Sequence, residues 1–170
     1  MSRMTDVRHI MPMIAALDVI SGVSSGATVG AGAWPSANLA IFVPWRVVAP
    51  TWARRVWYAS GNATGNVDVG IYRDDGSLVV SSGATAQGSG NVVNFINITD
   101  TRIPPGDYFL GISFASATAQ PFRNTTALFS RVQGVCQMAA AHPLPATATF
   151  AAAGQDYIPF FGVSTIAADL

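Results

Sequence analysis

The sequence contains no lysine, no glutamate and only one cysteine. Its basic residues are all arginines and its acidic residues are all aspartates, nine of each, so that charged residues make up 11% of the 170 positions. About a quarter is usual in soluble domains. A net charge of zero provides no electrostatic footprint for nucleic acid or an anionic membrane. Because so few charges protect the surface, the composition favours association with other proteins.

Two structural features are also excluded. A single cysteine, Cys136, cannot form an internal disulfide bond, and we expect it to behave as a small buried apolar residue. No apolar run approaches the roughly 20 residues of a membrane helix, since the stretch from Ile10 to Ile20 is interrupted by Pro12 and Asp18. We therefore expect neither nucleic acid nor a membrane among the partners.

The clearest strand pattern begins at residue 66. Val67, Val69 and Ile71 recur at every second position, which is the period of a strand with one buried face. Residues 74–76, Asp-Asp-Gly, follow as turn residues, and Gly76 is able to adopt the positive φ that closes a short loop. This stretch predicts a β-hairpin.

A second strand pattern follows a proline-rich turn. Pro104, Pro105 and Gly106 precede the alternating stretch 107–114, and Pro-Gly favours a type II turn, with a positive φ at the glycine. The strict alternation in both stretches predicts one shared buried face, formed by Val67, Val69, Ile71, Tyr108, Leu110, Ile112 and Phe114.

Further apolar stretches also have strand character. They occupy residues 39–48, 52–60, 125–133 and 155–164. Pro44 lacks an amide donor, which indicates that the first of these strands lies at an edge or a bulge. With turn signals every ~8–12 residues, the pattern predicts an all-β protein.

We predict an antiparallel β-sandwich, jelly-roll-like because the Cys…Trp…Cys marker of immunoglobulin domains is missing. It occupies residues 39–170, and residues 138–141 within it resemble a helical turn. Residues 1–38 are predicted to form an extended N-terminal arm, since the stretch 22–32 has the Gly- and Ser-rich composition of a linker.

The arm contains one cluster of large apolar side chains, too few to form a core of their own. We expect this cluster to pack on a neighbouring subunit or on a partner protein, where methionines adapt to irregular gaps. The alternative is that the arm packs on its own sandwich as an added strand. The cluster comprises Ile10, Met11, Met13, Ile14, Leu17, Val19 and Ile20.

Residues for catalysis are scarce. Residues 22–26, Gly-Val-Ser-Ser-Gly, match the pattern of a hydrolase nucleophile elbow centred on Ser24, but a glycine-rich stretch follows where the elbow needs a helix. His9 and His142 are the only histidines, and neither has a nucleophile or a metal ligand at a recognisable spacing. We expect no enzymatic activity and no cofactor.

Two sets of residues allow a functional and a structural interpretation. Asp68, Asp74, Asp75, Asp100 and Asp107 cluster in one region of the sequence. Meeting at one end of a sandwich, two or three of them would hold calcium. The structural alternative is that aspartates at turns cap their own backbone.

The other set is the four tryptophans Trp34, Trp45, Trp52 and Trp57, which lie close together in the sequence. Exposed and coplanar, they would stack on sugar rings; buried, they would pack in a core or an interface. The exposure of these rings therefore separates the two interpretations.

The hairpin at residues 65–78, followed by Ser82-Gly83 and by residues 103–110 (Ile-Pro-Pro-Gly-Asp-Tyr-Phe-Leu), resembles tailed-bacteriophage virion proteins. In that family a hydrophobic-Gly-Ile-Tyr strand meets an Asp-Gly hairpin, and a Pro-Gly-x-Tyr turn opens a central strand. The resemblance covers residues 39–114 and carries over no functional residue.

The resemblance implies a structural protein of the virion, in a fibre, at a tail or as a capsid decoration. It implies other virion proteins as neighbours and a homo-oligomer, with a trimer favoured. Carbohydrate-binding modules share the Pro-Gly-x-Tyr turn, so the alternative is a module that binds glycans of the host surface.

Overall fold

The computed structural model describes residues 29–124, 134–154 and 157–166. These ranges contain antiparallel strands and no helix. The strands are β1 (Val29–Ala31), β2 (Ala40–Val47), β3 (Thr51–Ser60), β4 (Asn66–Arg73), β5 (Leu78–Ser81), β6 (Thr85–Ala86), β7 (Val92–Ile103), β8 (Gly106–Phe114), β9 (Phe122–Asn124), β10 (Cys136–Met138), β11 (Ala151–Ala152), β12 (Ile158–Pro159) and β13 (Phe161–Ser164).

The strands form two main sheets that pack against each other. The large sheet has the order β11-β10-β2-β8-β4-β5, with β6 paired to β4, and the small sheet has the order β13-β3-β7. A third, short sheet has the order β1-β9-β12. The chain passes from β2 of the large sheet to β3 of the small sheet and returns to the large sheet at β4. It passes to the small sheet again at β7 and returns at β8. The predicted all-β antiparallel sandwich is confirmed.

The main core lies between the two sheets and contains the predicted buried face. In the centre of the large sheet, Ile71 is paired with Leu110 and Val69 with Ile112. Their side chains meet Val56 and Phe161 of the small sheet in one apolar cluster. All seven predicted positions are at most 8% exposed, so the period-2 pattern identified this core correctly.

A second, smaller core covers the opposite face of the large sheet. Phe42 of β2 lies 5.2 Å from Tyr72 of β4 and 5.1 Å from Phe150, measured between ring centroids. The hydroxyl of Tyr72 donates a 2.7 Å hydrogen bond to the carbonyl of Pro145. The segment that contains Pro145 and Phe150 thus packs over the large sheet, which explains why β4 is buried on both faces.

The two predicted turns have different outcomes. Gly76 adopts a φ of 87°, as predicted for the loop between β4 and β5, and the carbonyl of Ala148 approaches it so closely that a Cβ would not fit. The predicted type II turn at Pro105–Gly106 is wrong, because Gly106 lacks the positive φ that it needs. Gly106 is instead extended and pairs with Val47 at the start of β8.

Residues 29–38, predicted to belong to the arm, are part of the sandwich. Val29–Ala31 pairs with β9, and Trp34 is buried against Phe114 and Tyr157 at ring distances of 4.8 and 5.1 Å. The indole Nε1 of Trp34 donates to the carbonyl of Leu39 at 3.0 Å. Burial of so large an apolar ring fixes this segment on the body.

The remaining strand predictions are partly corrected. Pro44 lies beyond the short pairing of β2 with β10, where no strand among the described residues pairs with that edge of β2, as expected for a residue without an amide donor. The helical turn predicted at 138–141 is wrong, since Met138 pairs with Ala40 in the large sheet. The predicted last strand is two strands, β12 and β13, which belong to different sheets.

Some sequence predictions lie outside the described residues. They are the strand at 125–133, the conformation of residues 1–28 and the packing of the apolar cluster Ile10, Met11, Met13, Ile14, Leu17, Val19 and Ile20.

Candidate functional site

The exposed large hydrophobic side chains of the described residues all lie in the small sheet or directly beside it. Trp52 belongs to β3, three of them belong to β7, Val48 precedes β3 and Ile166 follows β13. Isolated exposed apolar residues are normal, but their concentration on one sheet is typical of an interaction surface. Their exposed fractions are Val48 85%, Trp52 46%, Val92 46%, Val93 45%, Phe95 53% and Ile166 38%.

Strand register places several of these side chains on the outward face of the small sheet. Trp57 is paired with Phe95 of β7 on one side and with Gly162 of β13 on the other. The alternate residues Val56 and Tyr58 point into the main core and are buried. We call the outward set Trp52, Arg55, Trp57, Val93 and Phe95 the outward patch.

Contacts within the outward patch hold its side chains in place. The guanidinium carbon of Arg55 lies 4.8 Å from the ring centroid of Phe95, within the range of a cation–π interaction. The Nε of Arg55 also donates a 2.9 Å hydrogen bond to the carbonyl of Ile166. Trp57 packs edge-on against Phe160 at 5.3 Å. The patch is therefore ordered before any partner binds, which lowers the entropic cost of binding.

The outward patch borders an open strand edge. Within the described chain, β7 pairs only with β3 and ends the small sheet. Its residues 92–99 contain no charge and no proline. Natural edge strands usually carry lysine, proline or a bulge that prevents pairing with another chain. This part of β7 carries no lysine or proline, and its pairing with β3 is irregular only at its end, opposite Ala53 and Arg55. Residues 92–97 therefore form a regular edge that is open to a further strand.

Three of the four tryptophans are buried: Trp34 at 2% exposed, Trp45 at 7% and Trp57 at 7%, whereas Trp52 is half exposed. A sugar-stacking platform needs at least two exposed, coplanar rings, and the tryptophans do not form one. Their burial favours the packing interpretation over glycan stacking.

Sequence reasoning missed a buried polar cluster on the covered face of the large sheet. Asp68 of β4 is paired with Ser113 of β8, and both are fully buried. The Oγ of Ser113 lies 3.0 Å from Nδ1 of His142. The carboxylate of Asp68 accepts hydrogen bonds from the amide of Leu144 at 3.0 Å and from Ser82 Oγ at 3.2 Å. No motif spacing could have revealed this cluster, because only the fold brings these residues together.

The residue types of this cluster match a hydrolytic triad, but its geometry is that of a structural hydrogen-bond network. A nucleophile must reach a substrate, and Ser113 is fully buried. In a triad the aspartate orients the histidine, whereas Asp68 bonds to Ser82 and the backbone of Leu144. Burial raises the pKa of Asp68 and lowers that of His142. We assign the cluster the role of attaching residues 142–144 to the large sheet.

The lowered pKa of His142 predicts a pH-dependent stability. Burial keeps the folded imidazole neutral below its ordinary pKa of 6.5, so the unfolded chain takes up the proton first as the pH falls. The free energy of unfolding should therefore be fully retained above pH 6.5 and decrease below it. Denaturant unfolding at about pH 8 and about pH 5 measures this slope.

Two variants identify the source of that slope. His142→Gln should flatten it, whereas His9→Gln, the matched control, should leave it unchanged. Asp68, whose pKa is raised by burial, acts in the opposite direction as the pH falls through its folded pKa toward 3.8, so the difference in slope between the unmodified protein and His142→Gln isolates the histidine. An unaltered slope in His142→Gln would contradict the prediction.

The gathering of aspartates that the calcium interpretation requires is not formed among the described residues. Asp75 accepts a 2.8 Å hydrogen bond from the amide of Ser77, which is the turn-capping alternative. Asp100 lies 3.4 Å from Arg54 in an ion pair. Among the described residues, no group of three or more histidine, cysteine or aspartate side chains is arranged to hold a metal ion.

The remaining sequence candidates, His9 and the Ser24 motif, lie outside the described residues. In the described part of the chain, no helix is long and apolar enough to cross a membrane. Comparisons with protein-family models, with curated proteins and with solved structures gave no match.

Proposed function

We propose that this chain is a non-enzymatic structural component of a bacteriophage virion, of the capsid-decoration, fibre or tail-associated kind. It assembles with other copies of itself, a trimer being favoured, and with other virion proteins, through its N-terminal arm and its apolar surfaces. The observation that carries the proposal is the concentration of exposed hydrophobic side chains on one sheet of a charge-poor sandwich. The resemblance of residues 65–78 and 103–110 to tailed-bacteriophage virion proteins supports the class of particle.

The physical argument for self-association starts from the outward patch. Val93 and Phe95 stay half exposed although they could contribute about 25 cal/mol for each Å² of apolar area removed from water. The chain has few charges to keep such a surface apart from similar surfaces. A closed symmetric oligomer is the usual way to cover a repeated patch. Another copy of this chain is therefore the occupant that we propose.

The same surface separates this proposal from the carbohydrate-binding alternative. Sugar recognition by stacking needs an open aromatic platform, and only Trp52 of the four tryptophans is substantially exposed. Arg55 also lies over the ring of Phe95 and occupies the face on which a sugar would stack. Both observations support a packing surface over a glycan site.

We expect Phe95→Asp to dissociate the oligomer while the sandwich stays folded. Phe95 is 53% exposed, so its replacement loses the contact with Arg55 and some strand propensity, about 1 kcal/mol in the free energy of unfolding, and opens no cavity in the core. An unpaired charge buried in an interface costs about 3 kcal/mol or more, which weakens association roughly a hundredfold. Sedimentation across a concentration series measures the change.

Ala152→Asp is the matched control, because it places the same charge on exposed β11 at the far edge of the large sheet. It should sediment like the unmodified protein. A monomeric unmodified chain at micromolar concentration, or an intact oligomer in Phe95→Asp, would count against the proposal. Immunogold labelling of purified phage particles tests the location, and unlabelled particles would refute it.

A further inference from the structure

We infer that residues 13–20 of one copy pair as an added strand with the free edge of β7 in a neighbouring copy and cover the outward patch. The inference rests on the proposed function, which supplies the neighbouring copy. It goes further by identifying the donor segment, the acceptor edge and the backbone pairing that joins them.

The acceptor is the edge of β7 that has no partner among the described residues. Its backbone groups at residues 92–99 need hydrogen-bond partners, and no charge or proline protects that edge. Ile96 and Ile98 point inward but are only partly buried against the main core. A strand placed beside β7 would satisfy the backbone groups and complete the burial of both isoleucines.

The donor segment matches that edge in length and composition. Residues 13–20 read Met-Ile-Ala-Ala-Leu-Asp-Val-Ile, eight residues against the eight of 92–99. Pro12 directly precedes them, and a proline is tolerated at the start of a paired strand but not within it. The segment is almost entirely apolar, so its side chains suit a surface that contains Val93 and Phe95.

Charge complementarity supports the same pairing. Asp18 is the only charged residue of the donor segment. On β3 and β7 the outward side chains include Arg55 and Arg102, which make no ion pair with the described carboxylates. An aspartate docked beside these arginines would gain an ion pair and would favour one register over others.

Residues 21–28, which connect the donor segment to β1, are long enough to reach a β7 edge. Ala31 of β1 lies against Gly61, whose carbonyl contacts Gly90 just before β7. The chain therefore enters the described sandwich close to the beginning of the acceptor strand. Residues 21–28 can extend over at most ~26–29 Å, which suffices to reach a β7 edge. In a ring of copies, transfer of each donor segment to the next copy would produce a closed assembly.

Disulfide trapping in the full-length chain tests this pairing. In a Cys136→Ser background, one tagged copy carries Ala16→Cys, which shares a strand face with Asp18, and a second copy carries Asn97→Cys or, in a parallel sample, Thr99→Cys, both on the outward face of β7. A disulfide requires Cα atoms within about 7 Å of each other, so only a strand beside β7 is trapped. We expect mixed dimers at least tenfold above those formed with the control Ala152→Cys, which lies at the far edge of the large sheet.

Each other outcome overturns the inference and bears differently on the proposed function. A disulfide within one chain of the Ala16→Cys/Asn97→Cys double variant, without mixed dimers, would show that the segment packs on its own sandwich. Oligomers in sedimentation without any such disulfide would overturn the strand exchange and leave the proposed function standing. Monomers without mixed disulfides would overturn both.

Discussion

Replacement of Leu110 by alanine is expected to lower the free energy of unfolding by about 2–5 kcal/mol. Leu110 is 2% exposed and lies in the middle of β8. It is paired with Val43 of β2 on one side and with Ile71 of β4 on the other, so its side chain is surrounded by the main core. Truncation removes buried methyl groups and leaves a cavity that this rigid centre cannot close.

Denaturant unfolding of the purified variant measures the effect. Val48→Ala is the matched control, because it also truncates an aliphatic side chain, but one that is 85% exposed and lies outside the outward patch. It should change the free energy of unfolding by less than ~0.5 kcal/mol. An unchanged unfolding midpoint in Leu110→Ala would show that the main core has been assigned incorrectly.

Deletion of residues 1–20 is expected to abolish assembly while the sandwich still folds. The deletion removes the whole apolar cluster of the arm but none of the described strands. The cluster supplies the large apolar side chains of the arm, and association depends on burying such area. We therefore expect a monomer in sedimentation, an unchanged β-type circular dichroism spectrum and no incorporation into particles.

A shorter deletion is the control for this experiment. Removal of residues 1–8 takes away Arg3, Asp6 and Arg8 but keeps the cluster from Ile10 onward, and it should assemble normally. If the longer deletion also joins the particle at normal occupancy, the arm is not the attachment element. If it lowers the melting temperature of the monomer, the arm packs on its own sandwich.

The sandwich could be predicted because its central strands obey a local rule. Val67, Val69 and Ile71 face the core at alternate positions, and the period of a strand is independent of what surrounds it. The turn at Gly76 was equally accessible, since a positive φ is rarely tolerated by other residues. The conformation of Gly106 could not be predicted in this way, because the pairing of Gly106 with Val47 overrides the local preference of Pro-Gly for a turn.

The boundary of the arm and the candidate site depended on distant contacts. The Gly- and Ser-rich composition of residues 22–32 favoured an arm that ends at residue 38, but Trp34 is fixed by Phe114 and Tyr157. The outward patch could not be recognised either, because Trp52 and Trp57 belong to the same strand and differ sixfold or more in exposure, 46% against 7%. Side-chain burial depends on which elements cover a strand, and no local pattern states that.

By itself, therefore, the amino-acid sequence determined the all-β class, the inward face of β4 and β8, and a surface poor in charge, because periodicity and composition act within a few residues. Only the tertiary structure decided which sheet has an open outward face, which strand ends that sheet, and that Asp68, Ser113 and His142 meet. The hydrogen bonds of this cluster join residues that are separated by 29 and 76 positions in the sequence. Such contacts form only when the sheets pack. The physical reason is that burial and pairing are properties of neighbours in space, whereas periodicity is a property of neighbours along the chain.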